Sequence, residues 1–253
     1  MYSNKTIIIT GASSGIGKAI ATEFLEKGAN IVINARNEKK LEEFASQHAQ
    51  HNSRIHITAG DIALKSTGQA LANAALERFG SIDVLVNNAG TFVPRPFLEA
   101  TEEDLDMYLS TALKGSYFTS QAVIPSMVEQ AEGCIINIGS MWVEHPLEAT
   151  PCSASQVAKG GVHTLTRHLA IEFASSNIRV NTIAPAIIDT PLYDNLMDHD
   201  QLEKLASLHP LRKLGKMKDI TSWALHLAGE GGRFVTGQTL FVDGGITAGA
   251  HVL

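Results

Sequence analysis

The sequence has few aromatic residues, few charges and almost no cysteine. Aromatic side chains make up 6% of the 253 residues and charged ones 18%, while 44% of the residues are hydrophobic. This composition excludes a disordered chain, a coiled coil and a collagen-like protein. The two cysteines, Cys134 and Cys152, are too few for a disulfide scaffold and suit a reducing compartment. Tyrosine is scarce as well, with four in the chain.

An excess of basic residues and long hydrophobic runs are also missing. Twenty Lys and Arg residues stand against 26 Asp and Glu residues, a net charge of −6, which argues against nucleic-acid binding. No apolar run approaches the ~20 residues that cross a bilayer, and the N-terminus does not resemble a signal peptide. The histidines show no metal-ligand spacing, so no metal site is predicted. We expect a soluble cytoplasmic protein without nucleic-acid or membrane partners.

Short β-branched runs alternate with longer helical patterns through most of the chain. Several runs are apolar without alternation, as expected for parallel strands covered on both faces. The pattern predicts a single α/β domain over residues 1–253, a doubly wound parallel sheet of the Rossmann-like three-layer α/β/α type. The predicted strands are Thr6–Thr10, Asn30–Ala35, Arg54–Thr58, Val84–Asn87, Cys134–Ile138, Arg179–Ile183 and Thr239–Val242. The predicted helices are Gly15–Lys27, Glu38–Gln50, Ala63–Phe79, Glu102–Gln130, Ser153–Ser175 and Met217–Ala228.

A glycine-rich turn follows the first strand and opens the first helix. Gly11, Gly15 and Gly17 allow a tight turn and a close approach of the backbone to a pyrophosphate, and the helix N-terminus offers free N–H groups. A nucleoside-triphosphate loop is excluded because five residues separate Gly11 from Gly17 and Ala19 follows Lys18. The turn therefore predicts a dinucleotide site.

Three motifs together resemble the short-chain dehydrogenase/reductase family. They are Thr10 to Gly17, then Asn87-Asn88-Ala89-Gly90 after the fourth strand, and the closing segment Gly237 to Gly245 with its Asp243-Gly244-Gly245 end. They occur in the family's order over essentially the whole chain. The resemblance implies a nicotinamide-dependent oxidoreductase with a substrate lid at about residues 189–212.

The resemblance also implies a set of cofactor-binding residues. Asp61 takes the place that hydrogen-bonds adenine, although it could equally cap the helix from Ala63. Ala35 replaces the acid typical of NAD-preferring members, and Arg36 suits the 2′-phosphate of NADP, unless it is only a solvated loop cation. NADP is expected, with NAD as the alternative. The set is Gly11, Ser13, Ser14, Gly15, Ile16, Gly17, Arg36, Asp61, Ile62, Asn88, Ala89, Gly90, Lys159, Pro185, Ile188 and Thr190.

The catalytic residues match the family only in part. The family uses Asn, Ser, Tyr and Lys, in which Tyr is the acid/base and Lys lowers its pKa. Ser140 and Lys159 match their positions. Ser155 stands four residues before Lys159, where Tyr is required, and Ala112 replaces Asn. We therefore expect Ser140, Ser155 and Lys159 in the catalytic position, with activity reduced or abolished.

Three explanations of Ser155 stay open: an engineered change, a natural pseudoenzyme, or an enzyme with another proton donor. Tyr193, His145 and His163 are candidate donors. Each has a plainer alternative, which is an apolar lid residue for Tyr193, a surface loop for His145 and interface packing for His163.

The substrate-facing candidates are mostly apolar and favour an apolar carbonyl or alcohol. They are Met141, Trp142, Val143, Leu192, Tyr193, Leu196 and Met197, and each could equally be an ordinary core or rim residue. The resemblance further implies a homo-oligomer, a tetramer or dimer, built on the helices near 102–130 and 153–175 and on the last strand. Two hypotheses follow: an oxidoreductase that moves hydride between NADP(H) and such a substrate, or a non-catalytic nicotinamide-binding protein that acts through assembly or partner binding.

Overall fold

A parallel sheet of seven strands forms the centre of the part of the chain that the structure describes. The computed structural model describes residues 2–148, 150–190 and 199–249. The strands are β1 (Thr6–Thr10), β2 (Asn30–Asn34), β3 (Ile55–Ile57), β4 (Val84–Asn87), β5 (Gly133–Ile138), β6 (Ile178–Pro185) and, after two short strands, β9 (Thr239–Val242). Their spatial order is β3-β2-β1-β4-β5-β6-β9, and every neighbouring pair is parallel. The predicted doubly wound sheet is confirmed.

Helices cover both faces of this sheet. They are α1 (Gly15–Glu26), α2 (Glu38–Gln47), α3 (Lys65–Phe79), α4 (Glu102–Tyr108), α5 (Gly115–Gln130), α6 (Ser153–Glu172), α7 (His199–Ser207) and α8 (Met217–Ala228). Two short strands, β7 (Ile188–Asp189) and β8 (Gly215–Lys216), pair with each other outside the main sheet. The segment around β7, α7 and β8 includes most of the predicted lid, of which residues 191–198 lie outside the described chain.

Alternate residues of β1 show why the strands read as continuous apolar runs. Ile7 and Ile9 belong to the hydrophobic cluster formed with α1, α2 and α8, whereas Ile8 belongs to the cluster formed with α3 and α5. All three are fully buried, because successive strand residues point to opposite faces and both faces are covered. Burying one such side chain contributes about 1.5–3 kcal/mol.

The helix predicted over Glu102–Gln130 is wrong as a single α-helix. Between α4 and α5 the backbone forms a π-helical segment, Leu109–Lys114. Ser116 Oγ donates to the Ala112 carbonyl at 2.7 Å. A side-chain hydroxyl therefore satisfies a backbone carbonyl within the wider π turn. The apolar pattern does not separate a π turn from an α turn over six residues. The other predicted elements are present with shifts of a few residues at their ends.

The carboxyl ends of the strands define where a ligand can bind. Chain order reverses between β1 and β4, which are neighbours in the sheet, and such a switch point opens a crevice at the carboxyl ends of the strands. Within the described residues, no helix has the length and apolar character needed to cross a membrane. The same ranges contain no group of three or more His, Cys, Asp or Glu side chains that could hold a metal ion.

Candidate active site

A cavity of about 410 Å³ lies over the carboxyl ends of β1, β4, β5 and β6. It brings together residues that are far apart in the sequence, from the glycine turn, the end of β4, the end of β5 and the start of α6. Many of the predicted site residues line it. These are Gly11, Ser14, Gly15, Ile16, Asn88, Gly90, Ser140, Ser155, Lys159, Pro185 and Thr190.

Hydrogen bonds of the Asn88 amide and the Thr10 hydroxyl join the glycine turn to the end of β4. Asn88 Nδ2 donates to the carbonyls of Thr10 and Gly11, at 2.9 Å and 3.2 Å. In return Thr10 Oγ1 accepts from the backbone N–H groups of Asn88 and Ala89, each at 3.0 Å. The two motifs read from the sequence therefore form one hydrogen-bonded unit, and Asn88 acts mainly by shaping the turn.

The glycine turn fits a phosphate group. Gly15 has a φ of +53°, and a Cβ added there would meet nothing within 4 Å, so the backbone faces open space. Ser14 makes no side-chain cap and the first turn of α1 has no acidic residue. The first N–H groups of a helix lack intrahelical acceptors and carry partial positive charge, which favours an anion. This donor set is the kind that binds a dinucleotide pyrophosphate.

Arg36 lies beside the glycine turn but outside the cavity lining. The N–H of Ala12 donates to the carbonyl of Asn34 at 2.9 Å, which places the end of β2 next to the turn. Arg36 follows two residues later and is exposed. Within the described chain it has no ion-pair partner, so its guanidinium is free to meet a phosphate.

Asp61 and Ile62 lie in the loop that joins β3 to α3. Asp61 Oδ1 accepts from the N–H of Ala63 at 3.0 Å, which closes a turn. The helix predicted from Ala63 begins at Lys65 instead, so Asp61 is not its N-cap residue. The Ile62 side chain is buried against Gly115, which leaves the Ile62 backbone as the part that could meet a ligand.

Lys159 and Ser140 face the same cavity from α6 and from the turn after β5. Lys159 Nζ donates to the carbonyl of Ile138 at 2.5 Å. Burial lowers the pKa of the Lys159 ammonium to about 8, because desolvation disfavours the charged form. Ser140 Oγ accepts from the N–H of Trp142 at 3.3 Å. A hydroxyl that accepts in this way still has its own proton to donate.

Ser155 stands at the position predicted for the proton donor, and an aliphatic hydroxyl is a far weaker acid than a phenol of pKa ~10. Its side chain is 4% exposed, and Gln156 Nε2 approaches its Oγ at 3.4 Å. Among the described residues that line the cavity, Lys159 is the one titratable side chain. Ala112, at the position expected for Asn, is buried in a small cluster with Tyr108 and Ala158.

Comparison with known proteins identifies the family. A family model described as enoyl-(acyl carrier protein) reductase matches residues 11–247. The chain is a short-chain dehydrogenase/reductase. It is 38% identical to the (2S)-[(R)-hydroxy(phenyl)methyl]succinyl-CoA dehydrogenase subunit BbsD of Thauera aromatica, over 96% of each chain.

Solved structures agree with this assignment to an oxidoreductase family. L-sorbose reductase from Gluconobacter frateurii, complexed with NADPH and L-sorbose, superposes with a TM-score of 0.90 at 30% identity, over 98% of both chains. Gluconate 5-dehydrogenase from Burkholderia cenocepacia, in complex with NADP and tartrate, has a TM-score of 0.89 at 32% identity, over 98% of this chain and 97% of that chain. The expected NADP dependence agrees with the cofactors in these two structures.

Several predicted residues of this short-chain dehydrogenase/reductase lie outside the cavity lining. Apart from Arg36, Asp61 and Ile62, the cofactor-binding predictions that do not line it are Ser13, Gly17, Ala89 and Ile188. Gly17 lies behind the turn, where a Cβ would be 2.3 Å from Asn88 Nδ2. The Ile188 side chain is buried against Gly215, so only its backbone could contact a ligand.

Some of the substrate and proton-donor candidates need correction. Met141 is fully buried in a core cluster, and Val143 packs near Gly160, so neither lines the cavity; Trp142 does. His145 lines a separate surface depression. His163 is 1% exposed inside its own chain, so its predicted interface packing is wrong. Leu192, Tyr193, Leu196 and Met197 lie outside the described residues.

The cavity also contains residues that the sequence reasoning missed. Two of them, Thr91 and Phe92, directly follow Gly90, and Gln156 directly follows Ser155. Their position next to recognised motifs is the sequence feature from which they could have been predicted. The remaining missed lining residues are Ile138, Gly139 and Ala186.

Proposed function

We propose that this chain moves hydride between NADP(H) and a carbonyl or alcohol substrate, at a rate limited by the serine at position 155. The observation that carries the proposal is the single cavity that joins the glycine turn to Ser140 and Lys159. Hydride transfer needs the cofactor and the substrate oxygen side by side, and both sets of binding groups face the same space.

The cofactor part of the proposal rests on charge and on free N–H groups. The first turn of α1 would hold the pyrophosphate, and Arg36 would pair with the 2′-phosphate by charge-assisted hydrogen bonds. Lys159 would bind the hydroxyls of the nicotinamide ribose, and Pro185, Ile188 and Thr190 would border the carboxamide. When bound, NADPH supplies the hydride at its nicotinamide ring. The NADPH and NADP in the two similar structures support this choice.

The protein groups at the reacting oxygen are Ser140 and Ser155. Ser140 Oγ, which already accepts from Trp142, would donate its proton to the substrate oxygen and orient it. Ser155 is several ångströms shorter in reach than a tyrosine and is a far weaker acid than a phenol of pKa ~10. General acid catalysis contributes about 10²–10⁴-fold. The replacement therefore predicts a slow enzyme whose cofactor site is intact.

The cavity suggests a substrate with an apolar part next to its carbonyl. Phe92 and Trp142 line it with their rings 6.1 Å apart, and Thr91 and Gln156 add polar groups to the lining of the same cavity. Aromatic walls with a few polar groups suit a small organic ligand. The apolar substrate predicted from the sequence is retained, with hydroxyl or amide groups allowed beside it.

Assembly and location belong to the same proposal. Exposed apolar side chains on α5 and α6, including Tyr117, Val157 and Ile171, support a homo-oligomer, a tetramer or dimer. The free cysteines Cys134 and Cys152 are compatible with a cytoplasmic site of action.

A non-catalytic nicotinamide-binding protein is the second candidate. Two observations favour it: the cavity has Lys159 as its one titratable side chain among the described residues, and Ala112 replaces the fourth member of the family's catalytic set. In that case bound NADP(H) would act on assembly or on a partner.

Restoring the phenol tests the two candidates against each other. Ser155→Tyr should raise NADPH oxidation on a panel of ketones and aldehydes by about 10²–10⁴-fold over the parent chain. Ser155→Phe is the matched control, because it adds the ring without the acid. If the tyrosine variant binds NADPH but exceeds neither the parent nor the phenylalanine variant on any substrate, the oxidoreductase proposal fails and the non-catalytic one stands.

A further inference from the structure

A buried imidazole holds the backbone of Ser140. His163 lies one turn after Lys159 in α6 and is 1% exposed. Its Nε2 is 3.3 Å from the backbone nitrogen of Ser140, which donates its N–H to the ring. The two residues are 23 positions apart in the sequence, so this contact joins the catalytic turn directly to the catalytic helix.

Gly139 makes this contact possible. A Cβ added to Gly139 would lie 2.3 Å from His163 Nε2 and 2.5 Å from Thr182 Cγ2. Side chains do not approach so closely, so any other residue at 139 would push the ring away from Ser140. The absence of a side chain at Gly139 therefore leaves the space that the His163 imidazole occupies.

The surroundings of the ring keep it neutral. Burial, followed by the nearby cations Lys159 and Arg167, lowers the pKa of His163 to about 4. A neutral ring that accepts at Nε2 carries its proton on Nδ1. Nδ1 lies 3.9 Å from Glu144 Oε1, beyond hydrogen-bond distance, and has no other partner in the described chain. The ring is thus an acceptor toward Ser140.

Three hydrogen bonds then fix Ser140. Its N–H donates to His163, its carbonyl accepts from the N–H of Val143 at 3.4 Å, and its Oγ accepts from the N–H of Trp142 at 3.3 Å. With the backbone and one lone pair of the hydroxyl engaged, the hydroxyl proton remains for a ligand in the cavity.

We propose that His163 is a positioning residue, which aims the Ser140 hydroxyl at the substrate oxygen by accepting the Ser140 N–H. The inference rests on the proposed function for its kinetic consequence, but its structural part does not. Ser140 makes its contribution at the reacting oxygen, so loss of the contact should affect turnover more than cofactor binding.

Two variants separate positioning from packing. His163→Gln keeps an amide acceptor near the position of Nε2, while His163→Leu keeps the bulk and removes the acceptor. In the Ser155→Tyr background, His163→Leu should lower kcat about tenfold, whereas the Gln variant should stay within about threefold, and both should bind NADPH with unchanged affinity. Equal kcat values for the parent, Gln and Leu chains would overturn the proposal, as would equal losses in both variants.

Amide hydrogen exchange tests the contact without any turnover. The Ser140 N–H should be protected in the parent chain and in His163→Gln, and should exchange at least about tenfold faster in His163→Leu. If His163→Leu does not fold, His163→Asn replaces it, because its shorter side chain does not reach Ser140. An unchanged exchange rate in the acceptor-lacking variant overturns the inference. A faster rate with no turnover on any substrate supports it while the proposed function fails.

Discussion

Lys159 and His163 lie one turn apart in α6, and for both of them burial is the first cause of the shifted pKa. It lowers the pKa of Lys159 to about 8 and that of His163 to about 4. Near neutral pH the amine is therefore mostly charged and the imidazole is neutral. One side chain can attract ribose hydroxyls while the other accepts a hydrogen bond, and this division of roles comes from desolvation.

The neutral state of His163 has a consequence for stability at low pH. In the unfolded chain this imidazole takes up a proton near pH 6.5, whereas in the folded chain it does so only near pH 4. The unfolded state thus binds more protons between these values, and stability falls as pH drops from about 6.5 to 4. Glu144 is too far away to form a hydrogen bond that would offset the charge, and Lys159 and Arg167 oppose it.

Urea unfolding at pH 7 and pH 4.5 checks this effect. The parent chain should lose up to about 3 kcal/mol more over this range than His163→Gln, which has no proton to gain at this site. Both chains share all other titratable groups, so the contributions of those groups cancel in the comparison. Identical losses in the two chains would show that His163 is not held neutral.

Arg36 gives a prediction about cofactor choice. It is exposed beside the glycine turn and has no ion-pair partner among the described residues. Arg36→Asp should weaken NADPH binding by about 10–100-fold, because a carboxylate repels the 2′-phosphate, and should leave NADH binding unchanged or improved. Fluorescence titration of both nucleotides measures this. Lys39→Asp makes the same charge change on an exposed cation of α2, and equal effects of the two changes would contradict a specific role for Arg36.

At the scale of elements, the site depends on the hydrogen bonds that join the end of β4 to the turn between β1 and α1. Asn88 lies after β4 and donates to two carbonyls of the β1–α1 turn. Without its amide, those carbonyls lose their partners and the turn is free to change shape. These hydrogen bonds are partly buried, and the loss of a partner costs about 1–3 kcal/mol when it leaves polar groups unsatisfied.

Replacing Asn88 should therefore affect stability and binding together. Asn88→Ala is expected to destabilise the fold by about 1–3 kcal/mol and to weaken NADPH binding about tenfold or more. Asn73→Ala removes a similar side chain from the exposed face of α3 and should change neither quantity measurably. Thermal unfolding and NADPH titration are the measurements. Unchanged NADPH affinity in the Asn88 variant would mean that the turn keeps its shape without the hydrogen bonds from Asn88.

The sequence predicted the elements well because the strands are apolar throughout and the turns carry glycine. It also gave the spacing of four between Ser155 and Lys159, which puts both residues on one face of α6. It could not find the contact between His163 and Ser140, or the burial of Met141, because these depend on how two distant segments pack. The π segment at Leu109–Lys114 was missed for a related reason: side-chain hydroxyls and tertiary contacts define it, and periodicity does not.

At the scale of the whole molecule, the predicted functional residues meet at the carboxyl ends of the central strands. The glycine turn, the end of β4, the Ser140 turn and the start of α6 all reach the same cavity of about 410 Å³. The fold and the family make this chain an oxidoreductase scaffold. We propose that the serine at 155 lacks the proton donor of that scaffold, while the predicted cofactor-binding residues of the cavity stay in place.

A crystal structure of the parent chain with NADPH would show directly whether the glycine turn, Ser140 and Lys159 form one cofactor and substrate site. We expect the pyrophosphate on the N–H groups of Gly15 and Ile16, the 2′-phosphate within hydrogen-bond distance of Arg36, and the nicotinamide ring in the cavity with its C4 atom facing Ser140 and Ser155. Lys159 Nζ should contact the nicotinamide ribose. A nucleotide bound away from the glycine turn, or a nicotinamide ring turned away from Ser140, would contradict the proposed site.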